Sequence, residues 1–221
     1  MKKSLITILV CILTSASFAS GFGGFIEIDA PSSVANMTTG HLKGFESSKS
    51  NSLTTDIHLR NFEREADREK INKANTLLLK IMNSLEFKQR VLNFTFKGKR
   101  QFNDNNGKTN QEIYDHLMTG AEVLMPGSRG IMNFDLTLYK SKNPWSKVKG
   151  YTLPDTMRIW INKKYFRMSS WTPRDVAANM AHEWVHKMGF GHDYNHNAER
   201  PFTVPYGVGY IVQDLADQFI D

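Results

Sequence analysis

The chain has 221 residues, of which 40% are hydrophobic and 23% are charged, and its formal net charge is +6. This length suffices for one domain with a sizeable core. The basic residues are scattered along the chain and no nucleic-acid-binding motif accompanies them, so nucleic acid is not expected as a partner.

The first 19 residues have the pattern of a Sec-type signal peptide. Lys2 and Lys3 form a positive n-region, Leu5 to Leu13 form an apolar core, and residues 17–19 (Ser-Phe-Ala) end at a cleavage site. The apolar run is too short for a permanent membrane anchor. We therefore expect a secreted or periplasmic protein. Cleavage would remove Cys11, the sole cysteine, so the mature chain would have no disulfides.

Residues 20–60 are rich in Ser, Thr, Asn and Gly. A segment of this composition buries little, so we predict an extended or flexible N-terminal arm, a linker or a pro-segment. The sequence does not decide among these. Globular patterning begins shortly after, so a globular domain is assigned to residues 61–221.

The first half of this domain is predicted to be largely helical. Apolar residues at helical spacing predict one long amphipathic helix over 65–90. Residues 91–96 have strand character. After a polar turn, Thr109 or Asn110 can cap a helix that continues through Val123.

Two strand candidates follow, at 131–139 and within 156–166, with a loop at 141–153 between them. Sheet segments that are followed by helices favour an α+β fold, in which a small mixed sheet packs on helices. The next helix has a well-marked start, because Thr172 is a good N-cap, Pro173 suits the first position and Asp175 completes a capping box. Its core-facing residues are predicted to be Ala177, Met180, Ala181, Trp184 and Met188.

Within this helix, residues 182–192 read His-Glu-Trp-Val-His-Lys-Met-Gly-Phe-Gly-His. His182 and His186 stand four residues apart and project from one helix face, where they can bind one zinc ion. Gly189 can end the helix in a left-handed turn, which offers His192 as a third ligand. Three protein ligands leave one position open for water, and Glu183 can act on that water as general base. These residues predict a zinc hydrolase site.

The string resembles the HExxHxxGxxH signature of the metzincin zinc metallopeptidases. The resemblance implies a metzincin-like fold with a zinc-binding active-site helix, and it gives the same roles to the three histidines and to Glu183. Asp193 after the third histidine is similar to the adamalysin branch. The resemblance also implies that an edge strand before the helix binds substrate by strand addition, for which Ile159–Asn162 is a candidate; a purely structural strand is the alternative.

Metzincins carry a methionine turn beneath the zinc, whereas the last methionine here is Met188. Residues 204–210 are predicted to form a turn at this place, followed by a helix from 211 to 220. Tyr206 or Tyr210 can replace the missing methionine, or donate its hydroxyl to a transition-state oxyanion. Tyr206 is the tentative catalytic residue of this pair.

The sequence thus predicts an exported zinc-dependent endopeptidase that binds one catalytic zinc ion, acts on protein or peptide substrates and is a monomer. A zinc amidohydrolase that acts on a non-protein or cell-wall amide has the same motif and stays open. A non-catalytic secreted zinc-binding module is the third hypothesis, although it would not need Glu183. His196 and Glu199 are alternative ligands, and Asp193 is expected to contact a ligand histidine or to pair with Arg174 or Lys187.

Overall fold

The chain is described by a computed structural model over residues 52–127, 130–193 and 197–219. These residues form one mixed sheet and six α-helices. The strands are β1 (Thr54–Arg60), β2 (Ile131–Tyr139), β3 (Gly150–Thr152) and β4 (Arg158–Asn162). The helices are α1 (Glu65–Met82), α2 (Leu85–Leu92), α3 (Asn110–Thr119), α4 (Lys163–Phe166), α5 (Pro173–Lys187) and α6 (Val204–Phe219). The predicted α+β class is confirmed. The predicted signal peptide and residues 20–51 of the predicted arm lie outside the described residues.

The sheet has the strand order β1-β2-β4-β3. Both β1 and β4 run parallel to β2, whereas β3 runs antiparallel to β4 and forms one edge. Ile159–Asn162, the candidate for an edge strand, is an interior strand because β4 lies between β2 and β3, so the alternative of a purely structural strand is the one that holds. The edge belongs to a strand of three residues, which is too short to show a periodic pattern within the predicted loop.

Strand β1 forms the opposite edge and was not predicted. Its residues lie ahead of position 61, where the domain was expected to begin, yet they pair with β2 along their whole length. Ile57 and Leu59 pack partly buried against the core, while Asp56, His58 and Arg60 are exposed. This alternation is a strand signal, but it covers few residues and is embedded in a polar segment.

The long helix predicted over 65–90 is interrupted between α1 and α2. Ser84 caps α2, because its hydroxyl accepts a hydrogen bond from the Phe87 amide at 3.0 Å. The side chain of Asn83 pairs with the main chain of Leu53 through two hydrogen bonds of 2.7 and 3.0 Å. The break therefore anchors the segment that leads into β1.

The strand predicted at 91–96 is wrong. Its first two residues end α2, and the segment then enters a tight turn in which Phe96 and Lys99 exchange main-chain hydrogen bonds of 2.9 and 3.0 Å. Lys97 and Gly98 occupy the turn with φ angles of 50° and 75°, which is the geometry of a two-residue hairpin turn. The side chains of Phe94 and Phe96 are buried in irregular backbone instead of in a strand.

Helix α3 has the predicted start but ends before Val123. Thr109 and Glu112 form a reciprocal capping box at its N-terminus. The helix stops at Gly120, which has a φ of 67°. A Cβ atom there would lie 2.6 Å from the main-chain nitrogen of Ile131, so the close approach of β2 requires glycine.

Helix α5 has the predicted boundaries. It begins at Pro173, and Thr172 and Asp175 form the expected capping box, with the Thr172 amide donating to Asp175 Oδ2 at 2.8 Å. The residues predicted to face the core are all buried, namely Ala177, Met180, Ala181, Trp184 and Met188. The sequence therefore predicted this element and its packing correctly.

Helix α6 begins at Val204, so the turn predicted over 204–210 is wrong. Pro205 lies in the first helical turn, where a missing amide removes no intrahelical hydrogen bond. A Cβ atom on Gly207 would lie 2.7 Å from the Phe102 ring, so glycine permits close packing here. The first nine residues of α6 are all buried, so the first half of this helix lies in the core without a polar face.

Helix α5 packs against α6, α1 and β3, and these elements surround most of the apolar core. This arrangement buries α5 on nearly every side. Over the described parts of the chain, no helix has the length and apolar character required to cross a membrane.

Candidate metal centre

Two of the predicted ligands lie on the last turns of α5. His182 and His186 are four residues apart and therefore share one side of the helix. Their Nε2 atoms are 3.2 Å apart. His182 is completely buried and His186 is partly exposed. The surrounding helix is buried from residue 176 to 185, so the core holds both imidazoles in place.

Gly189 reverses the chain after α5, as the sequence predicted. It has a φ of 91°, and its amide donates to the His186 carbonyl at 2.9 Å. The carbonyl of Phe190 then accepts a hydrogen bond from His186 Nδ1 at 2.8 Å. Because Nδ1 carries the proton in this bond, the lone pair of a neutral His186 is on Nε2, on the side of His182.

The reversed chain brings His192 back against the helix histidines. Its ring centre lies 4.7 Å from that of His186 and 5.4 Å from that of His182. The Nδ1 atom donates to the Asp193 carbonyl at 3.0 Å. As in His186, this hydrogen bond leaves Nε2 as the nitrogen for ligation.

The three histidines lie close enough to hold a metal ion, since one nitrogen from each lies within 4.8 Å of the other two. Nitrogen ligands about 2.0–2.1 Å from one tetrahedral zinc ion are roughly 3.3 Å apart. The separation of 3.2 Å between His182 and His186 matches this value. The predicted ligand cluster is therefore confirmed as a possible metal site, and imidazole ligands suit zinc, copper, iron and nickel ions.

The environment keeps these imidazoles neutral. Burial lowers the pKa of His182 well below its usual value, and the neighbouring His186, His192 and Arg200 lower it further. Burial also lowers the pKa of His186 to about 4. For His192, burial and the proximity of His186 lower the pKa to about 3. Neutral imidazole is the form that ligates metals, so near pH 7 no proton has to leave before binding.

Glu183 is buried beside this cluster, with 1% of its surface exposed. Burial raises its pKa well above the usual value, while the neighbouring Thr152 main chain and Asn179 side chain act in the opposite direction. No hydrogen-bond partner for its Oε1 atom is found within the described residues. Neither contact was predicted, although Asn179 stands one turn before Glu183 on an otherwise apolar helix segment and was a visible signal.

Tyr206 packs against the histidine cluster, and Arg200 packs against Tyr206. The Tyr206 ring centre is 4.5 Å from that of His182 and 4.9 Å from that of His192. The guanidinium carbon of Arg200 lies 5.0 Å from the Tyr206 ring centre, and both residues are buried. Burial raises the pKa of Tyr206. The sequence predicted a tyrosine near the metal but gave no indication of the buried arginine behind it.

A buried ion pair holds the other side of α5. Lys187 Nζ lies 2.9 Å from Glu122 Oε2, and both side chains are almost fully buried. Glu122 also accepts hydrogen bonds from the Trp184 indole at 2.9 Å and from the Asn133 amide at 3.0 Å. Lys187 therefore pairs with Glu122 and not with Asp193, which the sequence had left as an open alternative.

The remaining alternatives lie elsewhere. Glu199 pairs with Lys97 at 2.5 Å and is not part of the histidine cluster. Arg174 lies 3.6 Å from Asp217. His196 lies outside the described residues. Of the tyrosines proposed to lie beneath the metal, only Tyr206 has ring contacts with the histidines, whereas the Tyr210 ring packs against Tyr206 at 6.0 Å.

Comparison with known proteins does not assign the chain to a family. No protein family matches the sequence, and no curated protein or solved structure is significantly similar to it. The interpretation of this centre therefore depends on its own residues and geometry.

Proposed function

We propose that this protein is an exported zinc-dependent endopeptidase of metzincin-like type. His182, His186 and His192 hold the zinc ion, and Glu183 is the general base. The observation that carries this proposal is the convergence of three histidine nitrogens within 4.8 Å of one another beside a buried glutamate. A structural metal site has four protein ligands, which leave no open coordination position, and it needs no base. Three ligands with an adjacent Glu183 therefore favour a catalytic site.

The chain's own residues account for the handling of protons. Zinc, when bound, supplies Lewis-acid chemistry by activating water and polarising the scissile carbonyl. Glu183 takes the proton of the attacking water on Oε1, which has no hydrogen-bond partner among the described residues, and then delivers it to the leaving amine. The Thr152 main chain lies next to this carboxylate.

The position of β3 supports a peptide as substrate. This strand is the sheet edge that packs against α5, and Thr152 within it contacts Glu183. Among the described residues no strand pairs with the outer side of β3. An extended peptide that added there would form main-chain hydrogen bonds and lie beside the general base. In this proposal β3 takes the role for which Ile159–Asn162 was only a candidate.

Tyr206 takes the place of the missing methionine in this proposal. Its ring packs against His182 and His192 and is 98% buried, with Arg200 behind it. A buried ring in this place restricts the orientation of both imidazoles, which is the task of groups that surround metal ligands.

The test compares the wild-type protein with Glu183→Gln and with Glu199→Gln as a matched control. Metal content is measured by mass spectrometry, and hydrolysis is measured on an unfolded protein. We expect zinc in all three proteins, full activity in Glu199→Gln, and a loss of at least about a hundredfold in Glu183→Gln.

Two results contradict the proposal. If the wild type binds zinc and cleaves no peptide, the endopeptidase assignment is wrong, and cleavage of cell-wall muropeptides in the same assay would identify an amidohydrolase. If Glu183→Gln keeps full activity, then Glu183 is not the base.

A further inference from the structure

Positive charge is concentrated in one part of the chain. Residues 136–174 contain nine basic residues and a single acidic one, Asp155, which gives a local net charge of +8. Since the whole chain carries +6, the remainder has a net charge of −2. Such an asymmetry indicates an anionic partner for the basic part.

Ion pairs divide these basic residues into two groups. The three arginines are compensated by carboxylates elsewhere in the fold, in the pairs Arg158–Asp135 (3.6 Å), Arg167–Asp67 (2.5 Å) and Arg174–Asp217 (3.6 Å). The lysines form no ion pair with a carboxylate in the described part of the chain, and they are Lys140, Lys142, Lys147, Lys149, Lys163 and Lys164. The uncompensated charge therefore lies on the basic loop (residues 140–149) and on α4.

The basic loop also presents the most exposed large apolar side chain of the described residues. Trp145 is 85% exposed. Its amide donates to Asn143 Oδ1 at 2.9 Å, so the backbone at the tip is held in a side-chain-capped turn. A tryptophan that is so exposed among the described residues and stands among lysines is a candidate interfacial anchor.

Contacts with α4 hold the loop in place. The Lys164 ammonium donates to the Pro144 carbonyl at 3.0 Å, and the Tyr165 hydroxyl donates to the Ser146 carbonyl at 2.8 Å. The main chain on either side of Trp145 is therefore fixed. Its indole is presented outward without an ordering step on binding.

We propose that the basic loop docks on an anionic lipid surface, with Trp145 in the headgroup region and the lysines against the lipid phosphates. Lysines alone would also fit an acidic polypeptide. The exposed indole favours the lipid surface, because tryptophan is enriched at the boundary between headgroups and acyl chains. The binding is peripheral and requires no membrane-spanning segment. It is also independent of the proposed peptidase activity.

The test uses protein purified after export, with its N-terminus verified by mass spectrometry so that residues 1–19 do not contribute. Sedimentation with vesicles of phosphatidylglycerol and phosphatidylcholine is compared with sedimentation with phosphatidylcholine alone. Each lysine near an anionic surface strengthens binding roughly fivefold, so Lys142→Gln/Lys147→Gln should weaken it at least about tenfold. The matched control Lys99→Gln/Arg100→Gln removes two exposed charges elsewhere and should leave binding unchanged.

A second measurement reports on Trp145 itself. Lipids brominated near the headgroup should quench the fluorescence of the wild type, and Trp145→Phe should lose this quenching while its thermal unfolding stays unchanged. Equal binding to both vesicle types, equal effects of the two double variants, or the absence of quenching would each overturn the proposal. So would preferential binding of soluble polyglutamate that displaces the protein from vesicles, which would identify an acidic polypeptide as the partner.

Discussion

At the scale of single residues, Tyr206 has two possible roles that one pair of variants separates. A packing role needs only the ring against His182 and His192, whereas an oxyanion role needs the hydroxyl. Because the ring contacts both imidazoles and the side chain is buried, we expect Tyr206→Phe to keep zinc occupancy and to change kcat by less than about threefold. Tyr206→Ala should weaken zinc binding by about 10–100-fold.

The readouts are a zinc titration and steady-state kinetics on the same preparations. Tyr210→Phe is the matched control, since its ring packs against Tyr206 at 6.0 Å and not against the histidines. A loss of kcat of about a hundredfold in Tyr206→Phe with zinc still bound would contradict the packing role and assign the hydroxyl to the transition state.

At the scale of elements, Gly207 decides how closely α6 packs. The Phe102 ring that a Cβ atom would meet at 2.7 Å is itself stacked on Phe94 at 3.9 Å, so it cannot move aside freely. Alanine has the better helix propensity by about 1 kcal/mol, but overpacking of a core costs about 1–3 kcal/mol. We expect Gly207→Ala to lower the free energy of unfolding, as measured by urea denaturation. Gly127→Ala, where a Cβ atom would meet nothing, is the control, and a stabilised Gly207→Ala would contradict this account.

The contact of Asp135 on β2 with Arg60 on β1 makes the stability of the protein depend on pH. Burial raises the pKa of Asp135, but the hydrogen bond and charge of Arg60, together with Arg158, lower it below the usual value. A carboxylate whose pKa is lowered by folding stabilises the protein above its unfolded pKa, and this contribution is lost as the pH falls through the folded pKa.

We therefore expect Asp135→Asn to be less stable than the wild type at pH 7, by up to about 1 kcal/mol. The difference should begin to shrink below about pH 4, where the carboxylate of the unfolded chain becomes protonated, and should vanish as the pH falls through the lower pKa of the folded state. Urea denaturation between these pH values measures it. A difference that grows as the pH falls would show that the sign of this linkage is wrong.

These elements also show what the sequence could predict and what it could not. Helix α5 was predicted with its cap and inner face because Thr172, Pro173 and the apolar spacing are local signals that its packing reinforces. The start of helix α6 was not predicted, because Pro205 and Gly207 are typical turn residues. Only the fold shows that Pro205 lies in the first helical turn and that Gly207 packs against the Phe102 ring. The histidine cluster follows from spacing along one helix and one glycine turn, whereas Thr152 and Arg200 come from distant segments that only the fold brings together.

At the scale of the whole molecule, the helix that carries two of the candidate ligands is held by contacts that do not depend on the metal site. Helix α5 is held by its capping box at one end and by the buried Glu122–Lys187 pair near the other. Neither contact involves the histidines. The fold should therefore persist without metal, and metal should add stability by linking α5 to the segment that carries His192.

The expected result is that zinc raises the Tm of a protein that is already folded without it. Chelation should abolish hydrolysis and leave the far-ultraviolet circular dichroism spectrum unchanged, and added zinc should restore activity. At free zinc about a thousandfold above Kd, binding contributes about 4 kcal/mol, which raises Tm by roughly 10 °C in a chain of this size.

His192→Ala should lose most of this rise in Tm, because it removes one of three ligands. His58→Ala should keep the shift, since the exposed His58 on β1 lies outside the cluster. Loss of the helical spectrum on chelation would instead show that the metal is required for folding.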